Sequence, residues 1–245
     1  MRPTLDLVGI VLSLALAVIL VMTLAPAGER HGAHRARFAI GIAAWFVAAA
    51  LLGLAGVFAS PALPPSLAVG IAVLAPLLVG AGAVARTQAF GIPLTTLVAV
   101  NMGRVVGAAF LLLHAQGRLP RTFASSAGWG DIATGVLAIP VLWAIQRRVS
   151  GWRWITAAWS VLGMGDLLAA ITLGVGSAPG SPLRFIFEPP GTTTLGTFPW
   201  ALIPTFFVPL YLLIHIGVFS ALAAARRSER GSRPLPGEAS QLPAA

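Results

Sequence analysis

Long apolar stretches, separated by short polar or Gly- and Pro-containing segments, dominate the chain. A helix that crosses the hydrocarbon core of a bilayer needs about 20 mostly apolar residues. Seven stretches meet this requirement, over residues 7–24, 38–58, 66–85, 92–113, 127–145, 154–175 and 198–224. A membrane β-barrel would instead show segments of about ten residues with alternating polarity. The pattern therefore predicts an all-α integral membrane protein, a bundle of about seven transmembrane helices.

The composition agrees with this prediction. Apolar residues make up 57% of the chain and charged residues 9%, whereas soluble domains carry about 25% charged residues. A surface with so little charge excludes a soluble globular protein, and the high apolar content excludes a disordered one. Cys and Lys are both absent, which excludes thiolate metal sites, iron–sulfur clusters and Schiff-base chemistry.

The distribution of arginine predicts the orientation of the bundle. All sixteen basic residues are Arg. With the N-terminus outside, eleven of them fall in inner loops or the C-terminal tail, four fall outside, and Arg104 lies in the membrane. Because basic residues concentrate on the cytoplasmic side, we expect an N-out/C-in topology. The net charge of +9 then reflects topology. We expect the arginines to contact the anionic headgroups of the cytoplasmic leaflet, and we predict no binding to nucleic acid.

The terminal segments of the chain differ in composition, and we predict a different structure for each. Residues 1–225 form the predicted transmembrane domain, and the polar residues 226–245 are expected to be a disordered cytoplasmic tail. The first apolar segment is also compatible with a signal peptide cleaved near residues 25–27. The arginine cluster that follows this segment favours a retained helix. The outer connection, residues 176–197, is expected to be an ordered loop with aromatic anchors; a short strand or a re-entrant piece is the alternative.

Ionisable residues inside a membrane are rare and are either paired or functional. At about 1.5 Å per residue, Arg104 and Asp166 both lie about 18 Å, and His215 about 14 Å, from the inner ends of their predicted helices. Asn101 precedes Arg104 by three residues and shares its helix face. These depths predict an intramembrane polar cluster of Arg104, Asp166, His215 and Asn101. The cluster is compatible with a buried ion pair that fixes packing or with a substrate, ion or proton site; the absence of any contact is the third possibility.

A second candidate cluster lies at the outer face. Asp131 is near the outer start of the predicted helix 127–145, where the helix dipole favours an acidic residue. Arg118 and Arg121 lie just upstream, and either is a candidate partner for Asp131. Such a cluster would also suit an anionic headgroup or solute.

Two glycine patterns carry weaker information. Gly103 and Gly107 form a G-x-x-x-G pair that permits close helix approach, within the bundle or in a dimer. Residues 128–132 resemble residues 163–167. The two pieces lie at different predicted depths in helices of opposite direction, and we interpret their similarity as chance.

Neither a cofactor nor a metal is predicted. His114 and His215 differ in depth by roughly half the membrane, which does not suit a bis-histidine haem. His31 and His34 are too few ligands for a metal site. The motifs of soluble ATPases, serine hydrolases, zinc proteases and dinucleotide-binding enzymes are absent. An enzyme is therefore not the favoured class, although a membrane enzyme acting on a lipid stays open.

The second half of the chain resembles a group of bacterial multi-pass inner-membrane proteins without an established activity. The resemblance covers roughly residues 90–225. It is carried by Arg104-Val105-Val106-Gly107, Gly117-Arg118-Leu119-Pro120, Gly128-Trp129-Gly130-Asp131, Gly163-Met164-Gly165-Asp166, Ser177-Ala178-Pro179, Phe198-Pro199-Trp200 and the stretch from Val208-Pro209-Leu210 to His215. It implies that Arg104, Asp131, Asp166 and His215 form a shared pattern, and it implies no substrate.

These observations favour small-solute or lipid binding or transport at a polar site near the bilayer midplane. Arg104 would anchor an anionic group or hold Asp166, and Asp166 or His215 would be the titrating partner. The alternative is an accessory or scaffold subunit without chemistry. A membrane enzyme or redox subunit is the third class. Substrate, protein partners and oligomeric state do not follow from the sequence.

Overall fold

A computed structural model of the chain describes residues 2–24, 32–60, 63–85 and 92–231, and within these ranges it contains helices and no β-strand. The predicted all-helical fold is confirmed for this part of the chain. We number seven helices in chain order: α1 Arg2–Leu24, α2 Gly32–Leu54, α3 Pro65–Ala85, α4 Leu94–Ala115, α5 Arg121–Gln146, α6 Trp152–Gly176, and α7, which is the π-helical turn Ile203–Phe207 followed by Val208–Gly231.

Five of these helices are long and apolar enough to cross a membrane: α1, α4, α5, α6 and α7. The apolar parts of α2 and α3 are shorter, at Ala39–Leu54 and Pro65–Leu78. Large apolar side chains point away from the bundle, including Met22 at 73% exposure and Leu78 at 80%. Extensive exposure of large apolar side chains requires a covering medium, and together with the apolar helices it indicates a membrane-embedded protein.

Several boundaries differ from those that the sequence predicted. Helix α5 begins at Arg121, directly after Pro120, six residues before the predicted start at 127. Helix α7 continues to Gly231, so residues 226–231 are helical where a disordered tail was expected. Residues 232–245 and the possible cleavage site at 25–27 lie outside the described residues. In the connection at residues 176–197 the structure has turns and the 3-10 helix Thr193–Gly196, in agreement with the expected loop, and it does not form the strand that was the alternative.

Helix α7 lies at the centre of the bundle, and most of its side chains from Thr205 to His215 are buried. Pro209 has no backbone N–H, so the carbonyl of Thr205, four residues earlier, lacks its usual helical donor. The indole Nε1 of Trp45 in α2 donates to this carbonyl at 3.1 Å. Trp45 also packs edge-on against Phe206, with ring centroids 5.0 Å apart. The irregular start of α7 is thus completed by a side chain from α2.

Helix α4 changes geometry in its middle: the eight residues Val100–Gly107 form a 3-10 helix between two α-helical turns. Helix α5 packs against this segment at very short distance. A Cβ atom at Gly135 would lie 3.0 Å from the backbone nitrogen of Val105. Small residues permit such backbone approach in membrane bundles. Because the 3-10 segment carries Arg104, this packing positions the guanidinium between α5 and α6.

An ion pair joins the N-terminal end of α1 to the rest of the bundle. Asp6 Oδ1 accepts hydrogen bonds from Arg118 Nη1 and from Trp200 Nε1, each at 2.7 Å. The Arg118 guanidinium also lies 5.9 Å from the Trp200 ring centroid. These contacts connect α1 to the α4–α5 turn and to the segment that precedes α7.

Candidate functional site

Arg104 is the centre of a buried polar cluster in which four helices meet. Its Nε donates to Asp131 Oδ1 at 2.7 Å, and its Nη2 donates to Asp166 Oδ2. Its Nη1 donates to the Gly163 carbonyl at 3.0 Å. The Arg104 side chain is 1% exposed. Each guanidinium nitrogen is therefore engaged within the protein, and Arg104 holds two carboxylates.

His215 closes the α7 side of the cluster. Its Nε2 lies 3.4 Å from Arg104 Nη1, and its Nδ1 lies 2.9 Å from Ser160 Oγ. A guanidinium only donates hydrogen bonds, so Nε2 is the acceptor in this contact. The geometry therefore assigns the neutral ring, with the proton on Nδ1 directed at Ser160. The His215 ring also packs against Trp159, with ring centroids 5.4 Å apart. The indole Nε1 of Trp159 donates to the Thr134 carbonyl.

The two carboxylates are the accessible part of the cluster. The side chains of Asp131 and Asp166 are 18% and 14% exposed, against 1% for Arg104. The formal charges of the two aspartates and the arginine sum to −1. The cluster thus presents carboxylate oxygens outward, and its cation is buried behind them.

A cavity of about 510 Å³ leads to Asp131 from the end of the bundle that carries the connections before α3 and α7. Its walls are mostly apolar and come from α3, α4, α5, α6, α7 and the connections that precede α3 and α7; they include Phe110, Phe123, Leu167, Ile171 and Val208. Among the described residues that line it, Asp131 is the charged one. A smaller cavity of about 70 Å³ between α1, α4 and α7 also reaches Asp131 and touches Arg104. The arrangement is a predominantly apolar chamber with a carboxylate at its inner end, as in many small-molecule sites.

The structure brings together three of the four residues predicted at the midplane: Arg104, Asp166 and His215. Asn101 is fully buried on α4, but its Nδ2 donates to the Leu97 carbonyl of its own helix at 2.9 Å. Its Oδ1 has no hydrogen-bond partner. Asn101 therefore shares the helix of Arg104 without joining the hydrogen bonds of the cluster.

The predicted outer-face cluster of Asp131, Arg118 and Arg121 is not formed. Because α5 begins at Arg121, Asp131 lies ten residues into the helix, about 15 Å from its N-terminal end. This depth brings Asp131 to Arg104. Arg118 pairs with Asp6 instead, and the backbone N–H of Arg121 donates to Glu188.

The two similar segments, residues 128–132 and 163–167, were expected at different depths, but the structure brings them to the same buried cluster. The argument from unequal depth is wrong, because Asp131 and Asp166 both reach Arg104. A Cβ atom at Gly130 would overlap the Asp166 carboxylate, and one at Gly163 would lie 2.6 Å from the His215 ring. Because Gly130 and Gly163 have no side chains, there is room for the Asp166 carboxylate and the His215 ring.

Gly103 and Gly107 pack within the chain. A Cβ atom at Gly103 would meet Leu16 of α1 and, at 2.9 Å, the hydroxyl of Tyr211. One at Gly107 would overlap the Asp131 side chain. The G-x-x-x-G pair thus gives room to α1, α5 and α7 within the bundle.

Tyr211 is a member of the site that the sequence reasoning missed. Its ring centroid lies 5.8 Å from Arg104 Cζ, and its hydroxyl donates to the Val100 carbonyl at 3.4 Å. It also lines the smaller cavity. Two signals were available in the sequence: Tyr211 is the chain's one tyrosine, and it precedes His215 by four residues, which places both on one helix face.

The N-terminus of α5 is capped by a side chain from the connection between α6 and α7. The Glu188 carboxylate accepts hydrogen bonds from the backbone N–H groups of Arg121 at 2.8 Å and Thr122 at 3.0 Å. The hydrogen bond from the Thr122 backbone is the main cause that lowers the pKa of Glu188 below its usual value. An anion at a helix N-terminus is stabilised by the unpaired N–H groups and the helix dipole.

We expect Glu188→Gln to lower the free energy of unfolding by about 0.5 kcal/mol near neutral pH, because the amide keeps the shape but loses the charge. A lowered pKa stabilises the fold above the ordinary pKa of Glu and loses this contribution as the pH falls through the lowered value. The measurement is the difference in melting temperature between wild type and variant across pH. A difference that grows toward acid would contradict the assignment.

Comparison with known proteins gives one match. The model of a family described as "Domain of unknown function (DUF8737)" matches residues 71–223, which is more than half of the chain. The match includes Arg104, Asp131, Asp166 and His215. No curated protein and no solved structure matches the chain.

Proposed function

We propose that this chain, which belongs to the DUF8737 family, is a multi-pass membrane protein that binds a small, largely apolar solute or lipid near the middle of its bundle. The carrying observation is the cavity of about 510 Å³ that ends at the Asp131 carboxylate. Apolar walls remove the body of a ligand from water, at roughly 25 cal/mol per Å² of buried apolar surface. The carboxylate at the inner end would fix the orientation of its polar head.

In this proposal the seven helices cross the inner membrane of a bacterium with the N-terminus outside and the C-terminus inside. The positions of charged groups support this orientation. Asp6, Arg118 and Glu188 lie at one end of the bundle, while Arg147, Arg153 and Arg226 lie at or beside the other ends of α5, α6 and α7. Arg226 packs 4.9 Å from the Trp154 ring centroid, a combination suited to an interface with anionic headgroups.

The role proposed for Arg104 is to hold Asp131 and Asp166 in place. The guanidinium is 1% exposed and each of its three nitrogens already donates to a protein acceptor, so it offers little to an anionic ligand. The ligand-facing group is the carboxylate of Asp131, and Asp166 lies beside it on the same guanidinium. Small-solute or lipid transport would use the same site, with the cavity opening at the predicted outer face.

The alternative is an accessory or scaffold subunit. One observation favours it: the bonds of Arg104 join α4, α5, α6 and α7 and are complete without a ligand. The cavity favours the binding proposal, since a cluster that served packing alone would not require a chamber leading to it.

Native mass spectrometry of the protein released from lipid nanodiscs tests the proposal. We expect wild type to carry one retained apolar ligand and Ala170→Phe, which fills the cavity wall, to lose it. The matched control is Leu168→Phe on the same helix, where the side chain is 51% exposed on the outer surface; this variant should keep the ligand. An empty wild type would favour the scaffold alternative, and a Soret band in its visible spectrum would indicate a redox subunit instead.

A further inference from the structure

The inner end of the cavity has an unusual balance of hydrogen-bonding groups. Arg104 uses Nε, Nη1 and Nη2 on protein acceptors, and the geometry of His215 directs its proton at Ser160. The charged group left facing the larger cavity is the Asp131 carboxylate, whose oxygens are acceptors when ionised. A ligand head that complements this surface is a donor or a cation, and an anionic head is repelled.

The charge balance distinguishes a cation from a neutral donor. Two carboxylates face one guanidinium, so the cluster carries a formal charge of −1 when both aspartates are ionised. An uncompensated charge in apolar surroundings is costly. Neutrality requires one further positive charge, which is either a proton on the carboxylate pair or a cation in the cavity.

The titratable and charged groups around the carboxylates are few. Arg104 faces them from α4, and His215 and Tyr211 lie on α7. The linings that α1 and α3 contribute to the two cavities contain no charged residue among the described positions. Nothing in this list supplies the missing positive charge.

The walls next to Asp131 suit an organic cation. Phe110 lines both cavities together with Asp131 and packs edge-on against Phe123, with ring centroids 5.3 Å apart. Aromatic rings and a carboxylate are the groups that recognise ammonium heads, because the ring face attracts positive charge. The remaining apolar wall would accommodate a hydrocarbon body.

We propose that the site binds an amphiphile with an apolar body and an ammonium head, in exchange for one proton. This inference rests on the proposed function and names the ligand class for the same site. In the ligand-free site one proton is held by either Asp131 or Asp166. When the ammonium head enters, one carboxyl O–H bond breaks and the proton leaves through the cavity to water, so the charge of the site is conserved.

The experiment is isothermal titration of the protein in nanodiscs with decyltrimethylammonium below its micellar concentration. Decanol and decyl sulfate provide the same apolar body with a neutral and an anionic head, and protein-free nanodiscs give the lipid background. Titration in two buffers of different ionisation enthalpy counts the protons released. Exchange of one proton predicts that affinity for the cation rises about tenfold per pH unit over the range in which the empty site holds its proton.

Two variants and one control make the result specific. Asp131→Asn removes the ligand-facing charge, and we expect cation affinity to fall by at least about 100-fold, the effect of losing a desolvated charge pair. Ala170→Phe blocks the cavity without altering a charge, so it keeps the test valid if Asp131→Asn does not fold. Glu188→Gln, the same carboxylate-to-amide change at the outer loop, should bind as wild type.

The outcomes separate the two proposals. Cation binding with release of one proton supports both. Equal binding of decanol, pH-independent cation binding or preference for decyl sulfate would overturn the ammonium–proton inference while leaving a ligand in the cavity. If no probe binds, and Ala170→Phe matches wild type in every titration, the inference and the proposed function both fail.

Discussion

Arg104→Ala is expected to lower the free energy of unfolding by about 3–5 kcal/mol, the cost of breaking a buried charge pair by removing one partner. The alanine removes the bonds to Asp131, Asp166 and the Gly163 carbonyl together. It also leaves two carboxylates next to each other without their cation. The measurement is the unfolding midpoint of the purified protein in one fixed detergent or nanodisc composition.

Arg118→Ala is the matched control for this prediction. The Arg118–Asp6 pair has the same 2.7 Å separation as the bond from Arg104 to Asp131, but its side chains are 16% and 35% exposed. Exposed ion pairs contribute about 0–1 kcal/mol, so we expect a correspondingly small loss. A triple variant, Arg104→Gln with Asp131→Asn and Asp166→Asn, should be more stable than Arg104→Ala because it leaves no unpaired charge. Equal losses for Arg104→Ala and Arg118→Ala would contradict the burial of the cluster.

Gly130→Ala is expected to cost about 3 kcal/mol, although it adds a single methyl group. A Cβ atom at this position would overlap the Asp166 carboxylate. Either α5 and α6 separate, with the overpacking cost of about 1–3 kcal/mol, or Asp166 leaves Arg104. The measurement is the unfolding midpoint, together with cation binding by the method described above.

Gly165→Ala tests whether the effect of Gly130→Ala comes from the contact. Gly165 lies next to Asp166 on α6, and a Cβ atom there would meet nothing within 4 Å. Alanine is favoured over glycine in a helix by about 1 kcal/mol, so this variant should be neutral or more stable. Similar losses at both positions would show that the spacing of α5 and α6 does not depend on Gly130.

The pairing of Arg104 with Asp166 and His215 followed from the sequence because all three are polar residues at similar depth in apolar helices. Helix rise converts residue counts into depth, and few polar groups compete for partners inside a membrane. The helical fold followed for the same reason, since the apolar stretches are long and the chain carries little charge.

Asp131 shows where this reasoning fails. The residues from Arg121 to Ser126 are polar enough to resemble a loop, but Pro120 permits a helix to begin directly after it, and Glu188 caps that start from 66 residues away in the chain. A capping group so distant in sequence gives no local signal. The error of six residues displaced the predicted position of Asp131 by about 9 Å along the helix axis. Arg118 and Arg121 were therefore predicted as its partners, whereas the structure pairs it with Arg104.

The cavity and the role of the glycines were also beyond the sequence. The chamber wall combines residues from five helices and two connections, and their proximity depends on packing angles that periodicity does not encode. Gly107, Gly130 and Gly163 are three of 27 glycines. Only the structure distinguishes those that face a side chain of the cluster from those that face open space, such as Gly165.

The central claim is that the chamber ending at Asp131 holds a ligand distinct from bulk lipid, and photo-crosslinking in the native membrane tests it most directly. A benzophenone side chain would be placed at position 171 on the cavity wall and, as control, at position 168, which is exposed on the outer surface of the same helix. We predict one defined adduct mass at 171, lost when Asp131→Asn is added, and a broad mixture of membrane phospholipids at 168. The same phospholipid mixture at both positions, unaffected by Asp131→Asn, would contradict the claim.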